Sequence, residues 1–384
     1  MRRSDRHRAR GHPPYRRNHP PAPDRQAALV AVAQPRNRTA IMNLATRLGL
    51  VVIVIGAFSG TIAVLNDGKK AAAQGSNKVR WESSKQCQEC HPALYDEWYG
   101  SHHQIAFTNP EVRLLSDDFR KEECMDCHLP RPLAVTGFGK RTLPRRTHFN
   151  DGVSCITCHL AADGGILGRN HRPEVPCQPQ ASAQFSIASA CASCHNQHGT
   201  TDQFLASHFA KQGNNCATCH MPEIERVRKD GSKRMGRKHV WDGCHNKESL
   251  QSAGKFEVTV EAGELVLSLS NVGAGHNFPT EERHRAVDMM YRFVTKEGGE
   301  NKTSQWHRAY RFRQPYRDEQ EPINEGNEPG ENTQLTAGAT KAVRIKIPAG
   351  AASAEARLWY RLTPFIGDDS PQSTLLYEQR VNLK

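Results

Sequence analysis

Cys87-Gln-Glu-Cys90-His91, Cys124-Met-Asp-Cys127-His128, Cys155-Ile-Thr-Cys158-His159, Cys191-Ala-Ser-Cys194-His195 and Cys216-Ala-Thr-Cys219-His220 repeat one pattern five times. The spacing C-x-x-C-H is the attachment signature of c-type haem: two thiols form thioethers to the vinyl groups, and the adjacent imidazole meets the iron. The chain has 12 Cys and 19 His in 384 residues, so composition alone would yield roughly 0.02 such motifs. A single copy would also fit a zinc half-site or a redox dithiol. Five copies, each closed by His, point to five covalently attached haem c groups. The ten motif cysteines then hold porphyrin, and His91, His128, His159, His195 and His220 are the proximal iron ligands.

The charge balance supports an exported protein and not a nucleic-acid binder. The formal charge is +12, from 52 Lys+Arg and 40 Asp+Glu. Residues 1–73 hold 13 of the basic and 3 of the acidic groups, which leaves 39 and 37 for the remainder. Each haem adds two propionates, so the working part of the chain is expected to be acidic. Hydrophobic content is 37% and aromatic content 7%, low for this length, but porphyrin faces supply apolar core that a sequence does not spell out.

Residues 1–41 are Arg- and Pro-rich with no apolar periodicity, a basic extension expected to be disordered. Met42 reads as the true start. From there a short basic segment ending at Arg47 leads into 18 uncharged residues, Leu48 to Leu65, followed by Ala71-Ala-Ala73. The segment 42–73 reads equally as a cleaved signal peptide and as an uncleaved anchor in which 48–65 enters the membrane. Both place the haem region outside the cytoplasm, in the periplasm or on the outer face of the cytoplasmic membrane.

A cytochrome domain is expected over 74–250. Successive first cysteines lie 37, 31, 36 and 25 residues apart, so nothing repeats strictly except the motif. Scattered Pro and Gly argue against long helices. Short helices and loops wrapped round closely spaced haems are expected. Eleven histidines after residue 73 lie outside the motifs: His102, His103, His148, His171, His198, His208, His239, His245, His276, His284 and His307. Double histidine ligation of five irons needs five of them. The distal candidates are His103, His148, His171, His208, His239 and His276, with His245 a weaker one. Cys177 and Cys244 stand outside the motifs; a disulfide between them and two free thiols are both open.

Cys87-x-x-Cys90-His91-Pro…Trp98-x-x-Ser101-x-His103, Gly152-Val-Ser-Cys155-x-x-Cys158-His159 and Cys216-x-x-Cys219-His220-Met221-Pro222 resemble the cytochrome c554 family of multihaem cytochromes, related in haem packing to hydroxylamine oxidoreductase. The resemblance covers about 80–250. It implies haems stacked in parallel and perpendicular pairs, mostly bis-His, that carry electrons between periplasmic partners, and it favours His103 over His102. Cytochrome c554 itself has four haems, so its distal ligands are not carried over one by one.

After Cys244 the pattern changes to period two. Phe256-Glu-Val-Thr-Val260 and Leu265-Val-Leu-Ser-Leu269 flank Glu261-Ala-Gly-Glu264 and read as a hairpin. Val287–Val294, Ala342–Ile347 and Ala356–Leu362 read as further strands. An antiparallel β-sandwich-like domain is expected over 251–384, interrupted by a polar stretch near 314–334. The loop Asn271-Val-Gly-Ala-Gly-His276-Asn-Phe-Pro-Thr280 is similar to a stretch in β-domains fused to multihaem cytochromes, where it looks like a haem-ligand loop. It makes His276 a distal ligand lent by the β-domain.

Two functions fit. One is electron transfer through five mostly bis-His haems, with periplasmic or membrane redox proteins as partners. The other is an oxidoreductase acting on a small nitrogen or sulfur compound at one five-coordinate haem. No C-x-x-C-K variant is present, and the Arg-rich stretches Arg283-His-Arg285 and Arg308-Ala-Tyr-Arg311-Phe-Arg313 read as solvated surface. Electron transfer is the favoured reading. Nothing in the sequence sets the oligomeric state.

Overall fold

The computed structural model describes residues 80–227, 231–280, 284–315 and 331–383. The chain divides into two units, Met1–Ser76 and Asn77–Lys384. The basic extension 1–41, the signal or anchor segment 42–73 and its apolar run 48–65 lie outside the described residues. Among the described residues no helix is long and apolar enough to cross a membrane.

Each motif is built on a helical turn. The segments are Lys85–Gln88, Met125–His128, Cys155–His159, Ser189–His195 and Cys216–His220. At the first motif the turn runs on, with the His91 N–H donating to Cys87 O at 2.9 Å. Positions i, i+3 and i+4 share one face of a helix, so both thiols and the imidazole of C-x-x-C-H point the same way. The residue between the cysteines has its own task at two motifs. Thr157 Oγ1 accepts from Ser154 N at 3.1 Å, and Thr218 Oγ1 accepts from Asn215 N at 3.1 Å while Asn215 Oδ1 accepts from Thr218 N. Both are capping boxes that satisfy otherwise orphaned helix N–H groups.

Between motifs the chain is mostly short turns and loops, as the scattered Pro and Gly suggest. Two strand pairs interrupt it that the periodicity did not signal. β1 (Leu167–Gly168) runs parallel to β2 (Gln180–Ala181), and β3 (Glu223–Val227) pairs antiparallel with β4 (Lys233–Arg237). The second pair has a use. Arg226 reaches Glu97 at 2.5 Å, and Arg237 Nη1 donates to Ala217 O and Met221 O at 3.2 and 3.1 Å. The hairpin thereby ties the helix after motif 1, Pro92–Trp98, to the fifth motif.

The C-terminal part is antiparallel throughout. β5 (Gly254–Glu261), β6 (Glu264–Asn271) and β10 (Thr340–Lys346) form one sheet, ordered β10-β6-β5. β7 (Ala286–Glu297), β8 (Glu300–Thr303), β9 (His307–Phe312), β11 (Ala351–Arg361) and β12 (Ser373–Asn382) form the other, ordered β12-β11-β7-β8 with β9 also on β7. The predicted hairpin is β5–β6, turning through Ala262 at φ 50° and Gly263 at φ 81°, the two-residue turn whose twist matches the strands. Phe256 and Val258 alternate inward on β5 and join Leu265, Leu267, Leu269, Met289, Phe312, Leu358 and Leu376 in one core shared by both sheets. Burying each such side chain contributes about 1.5–3 kcal/mol. The helix Lys247–Ala253 belongs to this body too: Gln251 Nε2 donates to Leu376 O at 2.7 Å.

One expectation is overturned here. Arg311 and Arg313, read as solvated surface, are 3% and 2% exposed. Arg311 makes two hydrogen bonds to the buried Asp288 carboxylate, and Arg361 makes a third. Arg311 and Arg361 are tolerated inside because β7, between their two strands, supplies the shared counter-charge of Asp288.

Candidate haem-binding site

The motifs meet in a specific set of contacts. Ser84, fully buried, donates its N–H to Asp151 and accepts from Cys155 N at 3.1 Å, while Trp98 Nε1 donates to Val153 O at 2.8 Å. These bonds lay the first motif against the third, and the Cys87 and Cys155 thiols hydrogen-bond to each other. The second motif meets the fourth. Gly139 N donates to Ser193 Oγ at 2.9 Å, and Arg141 spans Asp126 and Gln197. The thiols of Cys127 and Cys194 are in hydrogen-bond contact there. The fourth motif also meets the fifth: Asn215 donates to Ser186 O at 3.1 Å, and Cys191 bonds Cys216. Within two of these pairs one thiol is held down, Cys155 and Cys216 each to about 7, chiefly by the hydrogen bond from its partner.

The imidazoles are oriented by backbone carbonyls. His128 Nδ1 lies 2.9 Å from Ala106 O and His159 Nδ1 2.9 Å from Leu167 O. Two distal candidates are held in the same way, His239 Nδ1 at 2.8 Å from Arg237 O and His276 Nδ1 at 2.9 Å from Asn277 O. With Nδ1–H donated to a carbonyl, Nε2 carries the lone pair a metal needs. Burial favours the neutral form of His103, His159, His220 and His239. His103 is lowered to about 3 by desolvation, and His220 and His239 to about 4, again chiefly by desolvation.

Two motif histidines face a second imidazole. His195 and His103 have ring centres 6.1 Å apart with planes at 48°, and His220 and His276 are 6.1 Å apart with planes at 16°. Two metal–nitrogen bonds of about 2 Å plus two half-rings set bis-His ring centres roughly 6 to 6.5 Å apart. The donor set therefore fits haem iron. His239 lies within electrostatic reach of His159, the third motif's histidine. Among the described residues no cluster of three or more His, Cys, Asp or Glu would hold a separate metal ion.

His103, His239 and His276, three of the distal candidates, are each placed by named contacts. Val153 N donates to His103 O at 2.8 Å, and a Cβ on Gly152 would lie 2.4 Å from that oxygen, so glycine is required where the two segments cross. Glu97 Oε2 accepts from His239 N at 2.8 Å. His276 depends on Asn271, fully buried, whose Nδ2 donates to His276 O and Leu335 O and whose Oδ1 accepts from Ala274 N. The loop then docks on the haem-motif segment. Gln203 Oε1 accepts from Asn277 N and Thr280 Oγ1, and a Cβ on Gly275 would sit 2.9 Å from the Phe204 ring.

The remaining candidates are placed differently. His148, in a left-handed conformation at φ 50°, and His171 are exposed. His208 is exposed beside Gly338, 3.6 Å from the position of a Cβ there. His102 and His245 stack face to face at 3.5 Å, a pairing that no sequence spacing signals. Cys177 feels the charge of Cys90 at the first motif, whereas Cys244 hydrogen-bonds Tyr360 in the β core. Both thiols are free, so the disulfide alternative is not formed. Trp241, at φ 53°, touches His103 at 4.3 Å between ring centres and His239 at 5.4 Å. A non-glycine residue in that conformation costs roughly 1–2 kcal/mol.

Comparison with known proteins bears on the motifs and on the fold. The family described as cytochrome c554 and c-prime matches residues 86–160, and the doubled CXXCH motif matches residues 186–225. The chain is a multihaem c-type cytochrome. Its fold is similar to that of a penta-heme cytochrome c552 from Thermochromatium tepidum, with a TM-score of 0.58 and 19% identity over 78% of this chain and 98% of that one. No curated protein matches the cytochrome significantly.

Proposed function

We propose that this cytochrome carries electrons between exported redox partners through five covalently bound haems, mostly ligated by two histidines each. The observation that carries the reading is the facing of His195 by His103 and of His220 by His276 at 6.1 Å. Haem iron supplies a one-electron couple, and two strong imidazole ligands let it change oxidation state without rearranging. The protein's part is to fix those imidazoles through the carbonyls of Arg237 and Asn277 on the distal side and of Ala106 and Leu167 on the proximal side. It also brings motif 1 to motif 3, motif 2 to motif 4 and motif 4 to motif 5, so that no haem is isolated. The proposed pairs are His195 with His103, His220 with His276 and His159 with His239. His148, His171 and His208 remain candidates for the first and second haems. The setting proposed is the periplasm or the outer face of the cytoplasmic membrane, reached through the segment 42–73, with periplasmic or membrane redox proteins as partners.

The test is a haem count and a low-temperature EPR spectrum of the oxidised holoprotein. Five haems per chain, all low-spin, are expected. A stoichiometric high-spin signal that shifts with nitrite or hydroxylamine would overturn the carrier reading in favour of an enzyme.

A further inference from the structure

We propose that Trp241 is the electronic bridge between the third and fourth haems. It is the side chain that fills the space between their distal imidazoles, His239 and His103. The inference rests on the ligand pairs proposed above and adds to them a residue that no motif marks.

The geometry has three parts. First, the indole contacts both rings, His103 at 4.3 Å with a 55° tilt and His239 at 5.4 Å edge-on at 82°. Tilted and edge-to-face contacts of this kind are favourable aromatic packing. Second, neither imidazole is free to move away from it. His103 is held at its carbonyl by Val153 N, and His239 is held at its N–H by Glu97 and at Nδ1 by Arg237 O. Third, Trp241 sits at φ 53° in a short segment bracketed by the Lys238–Asp242 ion pair at 3.2 Å. A residue kept in a disfavoured backbone conformation is over-determined by its surroundings, and such residues concentrate at working sites. Plain core filling would not need that conformation, nor a position between two histidines from segments more than 130 residues apart.

The step it serves is one electron passing from the reduced member of the haem pair to the oxidised member. One iron is oxidised, the other is reduced, and no proton moves. Trp241 is neither oxidised nor protonated; it replaces a through-space gap with packed π density, along which electronic coupling decays less steeply. It is a positioning and coupling residue, not a ligand.

The experiment compares holoprotein carrying Trp241→Leu and Trp241→Phe with the parent protein. Electrons are injected from a small-molecule photoreductant, and redistribution among the haems is followed optically. With Trp241→Leu the haem count and low-spin EPR intensity should be unchanged, while redistribution slows by roughly tenfold, through weaker electronic coupling and not a higher activation barrier. Trp241→Phe should recover most of the rate. An unchanged rate in Trp241→Leu would overturn the bridge, as would a slow rate accompanied by new high-spin iron, which is ligand loss. His103→Ala and His239→Ala test the reading beneath: if both leave all iron low-spin, the ligand pairs fail. If both create high-spin iron and Trp241→Leu leaves the rate unchanged, the bridge alone fails.

Discussion

The rings of His220 and His276 lie nearly parallel, 16° apart, with their centres separated by 6.1 Å. One closes the fifth motif and the other sits on the loop between β6 and β7, so in the proposed ligand pairing the β-domain lends the second ligand of that haem. Replacing His276 with Ala is expected to convert one haem in five to high spin. The spectrum of the oxidised protein checks it, and a wholly low-spin variant would reject the assignment.

Asn271 should matter as much as the ligand it supports. Its side chain satisfies the carbonyls of His276 and Leu335 and the Ala274 N–H inside the protein. Asn271→Ala removes the side-chain partner of the His276 carbonyl and of the Ala274 N–H, while Leu335 O keeps Phe278 N at 2.8 Å; the loss is about 1–3 kcal/mol, visible as a lower midpoint in denaturant unfolding. The same variant should also broaden or split the low-spin signal of the fifth haem.

Gly275 has no room for a side chain, because a Cβ would meet the Phe204 ring at 2.9 Å. Gly275→Ala is expected to cost about 1–3 kcal/mol through overpacking. The smaller ring position left by Phe204→Leu should restore part of it, and a double-mutant cycle on thermal unfolding measures the coupling.

Asp288 is expected to make the β-domain sensitive to acid. Burial alone would raise its pKa, but the hydrogen bonds and charges of Arg311 and Arg361 outweigh that and hold it below the ordinary 3.8. A carboxyl depressed in the folded state contributes stability above its unfolded pKa and loses it as pH falls through the folded value. Stability should therefore drop steeply below about pH 3.9, and Asp288→Asn should flatten that limb. At neutral pH, Asp288→Ala should cost about 3–5 kcal/mol, since it leaves buried cations without their shared counter-ion. Urea unfolding at several pH values measures both.

Much of this was legible in the sequence. The motifs could be read because attachment chemistry fixes their spacing, and β5 and β6 could be read because Phe256, Val258, Leu265, Leu267 and Leu269 alternate strictly. The asparagine-glycine loop also drew attention to His276, whose ring the fold places 6.1 Å from that of His220. Other features were hidden. β3 and β4 are hairpin strands made largely of charged residues, paired with groups on distant segments such as Glu97. β9 read as surface because Arg311 becomes buriable only beside Asp288 on β7. The pairing of His103 with the fourth motif, and not with the first motif that precedes it, needs the Gly152–Val153 crossing, which is a property of the folded chain. Trp241 carries no spacing signature.

Thiols that meet across motifs are also thiols that can be oxidised across motifs. Cys87 touches Cys155, Cys127 touches Cys194, and Cys191 touches Cys216, each joining two different haem sites. That closeness is thus a hazard before any porphyrin arrives. A chain that folds first in an oxidising compartment would lock its own attachment points together. Haem attachment is therefore expected to require reductant and to precede the closing of these motifs on one another. Chains produced without haem supply should show those cross-motif links by mass spectrometry, and attachment should resume once they are reduced.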